Sequence, residues 1–263
     1  MRGAVVGVIG VIACFVARAV AAPADPGAGG RESVEPPSLP EVETFGSVAQ
    51  LVRDRDVSGK VDLASVTRVP HAYALGSLED LRGEITIVDG TVWLSYPPAR
   101  PGAAVRVETA AGASEAAAFL VATHADERAD WTAIDLPDGL ASREAAARLA
   151  RWARERGLEG RPVPFRLDGA FSSLTLAIVD GRLLPAGPGT EESMKKAQSI
   201  ETHARARGTL VGFCWFAPGG STFTHPGQPC HVHAVLPEER ATGHAQDFVV
   251  APGAKLWMPT SAR

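Results

Sequence analysis

The chain has 263 residues, with 26 Lys and Arg against 30 Asp and Glu, for a net charge of -4. At 45% hydrophobic and 21% charged residues it can bury a substantial core, which excludes a disordered or fibrous chain. Its basic residues are scattered through an acidic balance, so it carries no electrostatic footprint for nucleic acid.

Arg2, the apolar run from Gly3 to Val16 and the small residues Ala19-Val20-Ala21-Ala22 read as an export signal, with the mature chain starting near Ala22 or Pro23. The expected location is therefore secreted or periplasmic. A membrane span would need about 18 uninterrupted apolar residues, and Arg18 breaks the run. The alternative is a lipid anchor through Cys14, because Val11-Ile12-Ala13-Cys14 looks like a bacterial lipoprotein box. Export would leave Cys214 and Cys230 in a compartment that permits disulfides; from sequence alone they are equally well two small buried hydrophobes.

Residues 23–40 are rich in Pro, Gly and charge with no apolar period, which predicts a linker. A folded domain is expected over residues 41–251, followed by a C-terminal tail over 252–263. Phe45, Val48, Ala49 and Val52 recur at spacings of 3 and 4 and predict a short amphipathic helix. Strands are predicted at residues 72–75, 84–88 and 91–96, the last two joined by the tight turn Asp89-Gly90, then at 105–109 and 117–122. Ser142 reads as the N-cap of a helix closed by Gly157, with a core stripe of Ala146, Leu149, Ala150 and Ala153. Val163 to Asp168 alternates like a strand that Gly169 ends. Further strands are predicted at 174–179, 208–216, 230–236 and 244–250, with a helix at 191–198. Runs of strands with few helices predict an α+β fold of mixed β-sheets rather than a βαβ repeat.

The chemistry concentrates near the C-terminus. Side chains two apart in a strand share a face, so His231 and His233 emerge together, and the polar loop from Pro237 to Gly243 delivers His244 beside them on the next strand. Three neutral imidazoles with a fourth position open to water or substrate suit a catalytic Zn²⁺. His225 is a fourth candidate, though its loop, rich in Pro and Gly, favours a surface residue. His71, His124 and His203 have no partners at ligand spacing.

These residues resemble a known family. Gly208-Thr-Leu-Val-Gly-Phe213, His231-x-His233 and Gly243-His244 are similar to the metal-binding part of acetolactate decarboxylases. Leu75-Gly76-Ser77-Leu78, Leu81-x-Gly83-Glu84 and Asp89-Gly90 resemble the stretch that carries that family's functional glutamate. Phe165-Arg166-Leu167-Asp168-Gly169-x-Phe171 resembles the stretch that carries its functional arginine. The matches keep the family's order from about residue 44 to 250. The resemblance implies a two-subdomain architecture, zinc on His231, His233 and His244, catalytic roles for Glu84 and Arg166, a small oxo-acid substrate and a homodimer.

One departure stands out. The family carries a further glutamate near the metal in a longer C-terminal tail, whereas the stretch from Ala251 to Arg263 contains no acidic side chain. Glu238 or Glu239, in the loop before His244, could take its place. The resemblance implies decarboxylation of 2-acetolactate to acetoin, with zinc stabilising the enediolate as a Lewis acid, Arg166 holding carboxylate charge and Glu84 moving the proton. The competing reading of Arg166 is an ion pair with Asp168. Two alternative functions are a zinc enzyme acting on another oxo acid and a non-catalytic exported metal-binding relative.

Overall fold

The computed structural model describes residues 39–100, 102–110 and 114–260. The proposed export signal, the lipid-attachment alternative at Cys14 and most of the linker lie outside the described residues. No described helix is long and apolar enough to cross a membrane.

Two sheets dominate, and every strand pairing among the described residues is antiparallel. The first contains β1 (Val42–Phe45), β2 (Val61–Asp62), β3 (Ala72–Leu78), β4 (Glu84–Val88), β5 (Thr91–Tyr96), β6 (Arg106–Ala110) and β7 (Ala116–His124). Its order is β1-β7-β3-β4-β5-β6, with β2 also on β7. Asp89 and Gly90 both take positive φ, 47° and 77°, the backbone that a two-residue turn needs to match strand twist. Phe45 belongs to β1, so the predicted amphipathic helix shrinks to one irregular turn, Gln50–Asp54, that buries Leu51 and Val52.

The second sheet contains β8 (Trp131–Leu136), β9 (Leu140–Ala141), β10 (Val163–Val179), β11 (Gln198–His203), β12 (Ala206–Cys214), β13 (Cys230–Leu236), β14 (Ala241–Val250) and β15 (Ala254–Pro259). The 17-residue β10 pairs with β12 through its first half and with β14 through its second, and β13 joins those two, so these four strands close on themselves. Gly169 does not end a strand as the sequence predicts. A Cβ there would stand 2.5 Å from the Cβ of Ala254, so the glycine lets β15 pack closely while β10 runs on. Residues 254–259, in the stretch expected to be a tail, are β15, held between β8 and β10.

Three α-helices complete the fold among the described residues: α1 (Leu63–Thr67), α2 (Ser142–Glu155) and α3 (Glu191–Lys196). In α2 the N-cap is Ala141 rather than Ser142, because the Ser142 hydroxyl bonds Asp247 while Glu144 accepts the Ala141 N–H at 3.1 Å. Its buried stripe is Ala145, Leu149 and Ala153, at the i, i+4 spacing of one helix face.

Apolar side chains gather in three layers. One lies in the curled second sheet and under α2, with Phe165, Phe171 and Leu210. One covers the outer face of the first sheet, with Ile85, Ile87 and the α1 residues Leu63 and Val66. The third joins the sheets face to face through Tyr73, Phe119 and Val121 on one side and Val211, Phe213 and Trp257 on the other. The histidines sit in this middle layer.

Candidate metal centre and active site

The β13 and β14 ladder sets His233 directly opposite His244, and His231 follows two residues away on the same face of β13. Their ring centroids are 5.2 Å apart for His231 and His233, 4.9 Å for His231 and His244, and 5.5 Å for His233 and His244. The rings of the three expected histidines thus stand within 5.5 Å of one another.

A fourth joins them. His225 stands 5.0 Å from His231 and 5.3 Å from His244 by ring centroid, and ligand nitrogens of His225, His231 and His244 all come within 4.8 Å of one another. The expectation of a surface residue is thus corrected. The loop between β12 and β13 folds back because it is closed at its base by a Cys214–Cys230 disulfide and by the Trp215 N–H bond to Pro229 O. The Val48 N–H bond to Thr222 O pins its middle to the first sheet's edge turn.

The imidazoles are oriented by their surroundings. His231 Nδ1 lies 2.8 Å from the Phe223 carbonyl oxygen, and His233 Nδ1 lies 2.9 Å from that of Ile85. Each ring then donates through Nδ1 and leaves Nε2 with a lone pair, the tautomer that metal-binding histidines adopt. Phe119 stacks on His231 at 5.7 Å with planes 6° apart. Burial, reinforced by neighbouring imidazoles, holds His231, His233 and His244 well below the ordinary histidine pKa, so they are neutral and ready to ligate. His225 is also lowered by burial, against the pull of Glu191, whose Oε2 lies 3.6 Å from His225 Nδ1.

The donor set fits a metal ion. Nε2 of His233 is fully buried with no hydrogen-bond partner among the described residues. An orphaned buried acceptor costs roughly 1–3 kcal/mol, a cost that a ligated cation removes.

Glu84 is buried in the first sheet, on the same face of β4 as Thr86, whose hydroxyl lies 3.3 Å from His233 Nδ1. Its carboxyl accepts the Val179 N–H at 3.0 Å and the Ser77 hydroxyl at 3.1 Å. Burial outweighs both bonds and pushes its pKa up to about 7, where it can give or take a proton at neutral pH. The register row Phe119, Ser77, Glu84 runs along the inter-sheet face, so the acid lies two strands from the ring stacked on His231.

Arg166 shares a cross-strand row with the metal candidates, in the order Trp257, Arg166, Val211, His233, His244. Val211 stands between it and His233. Its guanidinium is held by Asp168 at 2.7 Å and Glu127 at 3.0 Å, and it donates to the Tyr73 hydroxyl at 3.2 Å. Glu238 and Glu239 are exposed in the β13–β14 turn. The carboxylate that does meet the cluster is Glu191, which opens α3. The remaining histidines are bonded elsewhere: His71 to Asp89 at 2.8 Å and His124 to the Val66 carbonyl at 3.0 Å, while His203 lies 3.7 Å from Glu201.

The fold thus brings together histidines that could hold a metal ion and, on the facing sheet, a buried carboxyl raised to about 7. The family follows from the comparisons: residues 69–260 match the model of the alpha-acetolactate decarboxylase family, and the chain belongs to that family of carboxy-lyases. Its fold is similar to the alpha-acetolactate decarboxylase of Bacillus subtilis strain 168, with a TM-score of 0.64 and 17% identity over 83% of this chain and 85% of that one. A Staphylococcus aureus protein of unknown function, described as similar to alpha-acetolactate decarboxylase, gives 0.62 at 15% identity, over 84% and 86% of the two chains. The acetolactate decarboxylase of Bacillus subtilis subspecies spizizenii gives 0.61 at 18%, over 83% and 86%. No curated protein matches the chain in sequence.

Proposed function

We propose that this chain decarboxylates 2-acetolactate, or a close 2-hydroxy-3-oxo acid, to the corresponding hydroxyketone with zinc held by His231, His233 and His244. The observation that carries the reading is a cluster of neutral imidazoles packed between the two sheets, among them a buried His233 Nε2 with no hydrogen-bond partner among the described residues. When bound, zinc supplies a positive charge that stabilises the enediolate charge left as carbon dioxide departs.

In the reaction the bond between C2 and the carboxylate carbon breaks, its electron pair stays on the substrate, and one proton replaces carbon dioxide. Glu84, raised to about 7 by burial, holds the proton for that step, and Ser77 and the Val179 N–H fix its carboxyl in place. His225 and His244 line a cavity of about 530 Å³ that opens beside α3, while His231 and His233 are buried behind them, so an incoming acid meets His225 and His244 first. Glu191, with its Oε2 3.6 Å from His225 Nδ1, is the carboxylate beside that ring. Arg166, with its fork occupied by Asp168 and Glu127, ties β10 to the segment that follows β7 and supports the site from two strands away. Export is part of the proposal, and the Cys214–Cys230 disulfide supports an oxidising compartment.

Purified protein given racemic acetolactate is expected to form acetoin, and a chelator is expected to stop it. A metal-loaded chain that forms none contradicts the proposal.

A further inference from the structure

Two cavities meet at the histidine cluster, sharing Glu191, His225, Pro226 and Gln228. The smaller, about 530 Å³, contains His244 and the cation Lys195. The larger, about 940 Å³, spreads from His225 over Val48, Val52, Trp215, Phe216 and Ala217. Pockets of roughly 300–1,000 Å³ take ligands of drug size, so a five-carbon acid, which exposes two methyl groups, would leave most of the larger one wet. The walls do not depend on a ligand for their shape. Val48 and Val52 are buried in the edge of the middle layer, and the opposite wall is the loop stapled at Cys214–Cys230 and bonded to Val48 through Thr222 O.

We propose that the preferred substrate is a 2-hydroxy-3-oxo acid whose C2 substituent is an apolar chain longer than methyl. The polar head sits at His225 and His244 and the tail lies between the Val48 and Val52 wall and the Trp215 and Phe216 wall. This rests on the decarboxylase reading and specifies its substrate class. Lys195 lines the smaller cavity with His244 and supplies a cation for the carboxylate, while the larger cavity offers the apolar faces of Val48, Val52, Trp215, Phe216 and Ala217 to the tail, with Arg53 and Arg154 also on its wall. The balance of the step is unchanged: carbon dioxide leaves C2, a proton takes its place, and the longer hydroxyketone is released.

The test is a series of 2-acetyl-2-hydroxy acids with C2 substituents from methyl to hexyl, assayed with the zinc-loaded full chain. A buried methylene contributes about fourfold, so kcat/KM is expected to climb about three- to fourfold per added carbon through butyl. Ala217→Trp and Ala49→Phe narrow the cavity from opposite walls, and each is expected to cut the hexyl-to-methyl ratio at least tenfold; if one fails to fold the other still reports. Calorimetric binding of unreactive 2-hydroxyalkanoates of matching length is measured in parallel. A flat or falling series with acetolactate turned over overturns the inference and keeps the decarboxylase reading. Binding that tightens with chain length without turnover of any oxo acid supports the cavity assignment and overturns the decarboxylase reading. Neither turnover nor length-dependent binding overturns both.

Discussion

Nδ1 of His233 meets the backbone carbonyl oxygen of Ile85 at 2.9 Å, and this bond joins the strand that carries the metal candidates to the strand that carries Glu84. The histidine cluster and the acid are thereby fixed relative to each other by backbone geometry rather than by flexible side chains.

Glu84→Gln keeps the shape of the buried group and its partners but removes its proton chemistry. On the order of 10²-fold loss in kcat is expected with zinc content unchanged, the scale of a positioned acid. Stability should move the other way. In the metal-free fold the pKa of Glu84 is raised from 4.5 to about 7, so the native state holds a proton that the unfolded chain releases over that window. The native state is therefore penalised progressively as pH rises from about 4.5 through 7, by roughly 3 kcal/mol in total at alkaline pH. Chelator-treated Glu84→Gln should melt higher than the wild type at pH 8 and nearly alike at pH 4.5, as read by thermal unfolding at the two pH values.

Among the four histidines, metal content should separate ligands from the cavity-lining residue. Alanine at His231, His233 or His244 is expected to remove most of the zinc, because each supplies one of three protein bonds. His225→Ala is expected to retain more than half of one equivalent yet lose activity. Elemental analysis of the four single variants decides it; zinc lost only from His225→Ala would move the site to the cavity side.

Arg166→Ala should act chiefly through stability. It breaks the Asp168 and Glu127 pairs and the Tyr73 bond, and charge-assisted bonds of this partly exposed kind contribute roughly 1–3 kcal/mol. A lowered melting temperature with kcat of the folded fraction within about tenfold of wild type is the expected result. A loss of 10²-fold or more in kcat at full folding and full zinc would restore Arg166 as a group that acts on the substrate.

Removing the disulfide in Cys214→Ser, Cys230→Ser frees the loop that carries His225. With the paired cysteines at a sequence separation of 16, the expected destabilisation is about 3 kcal/mol. Denaturant unfolding in oxidising and reducing buffer measures it, and the reduced wild type should match the variant.

Much of this site is legible in local sequence. The β4–β5 hairpin follows from alternation around Asp89-Gly90, and the β13–β14 pair follows from His231-x-His233 with a polar turn before His244, because period-two patterning and turn chemistry are properties of adjacent residues. What escapes is long-range. His225 reaches the cluster only because a disulfide and the Thr222 carbonyl fold its loop inward. Gly169 looks like a break until β15 is seen packing against it, and β15 is seen only when its place beside β10 is known. Glu191 opens a short helix whose proximity to His225 no spacing rule encodes, while Arg166 owes its ion pair with Glu127 to the meeting of β10 with the segment after β7.

A zinc titration of stripped protein shows whether a single metal at the histidine cluster drives decarboxylation. Acetoin formation from 2-acetolactate should rise linearly with added zinc, level off at about one equivalent per chain, and stay at background in His231→Ala, His233→Ala protein given the same zinc. Activity that persists without metal, or that rises equally in the double variant, contradicts the account.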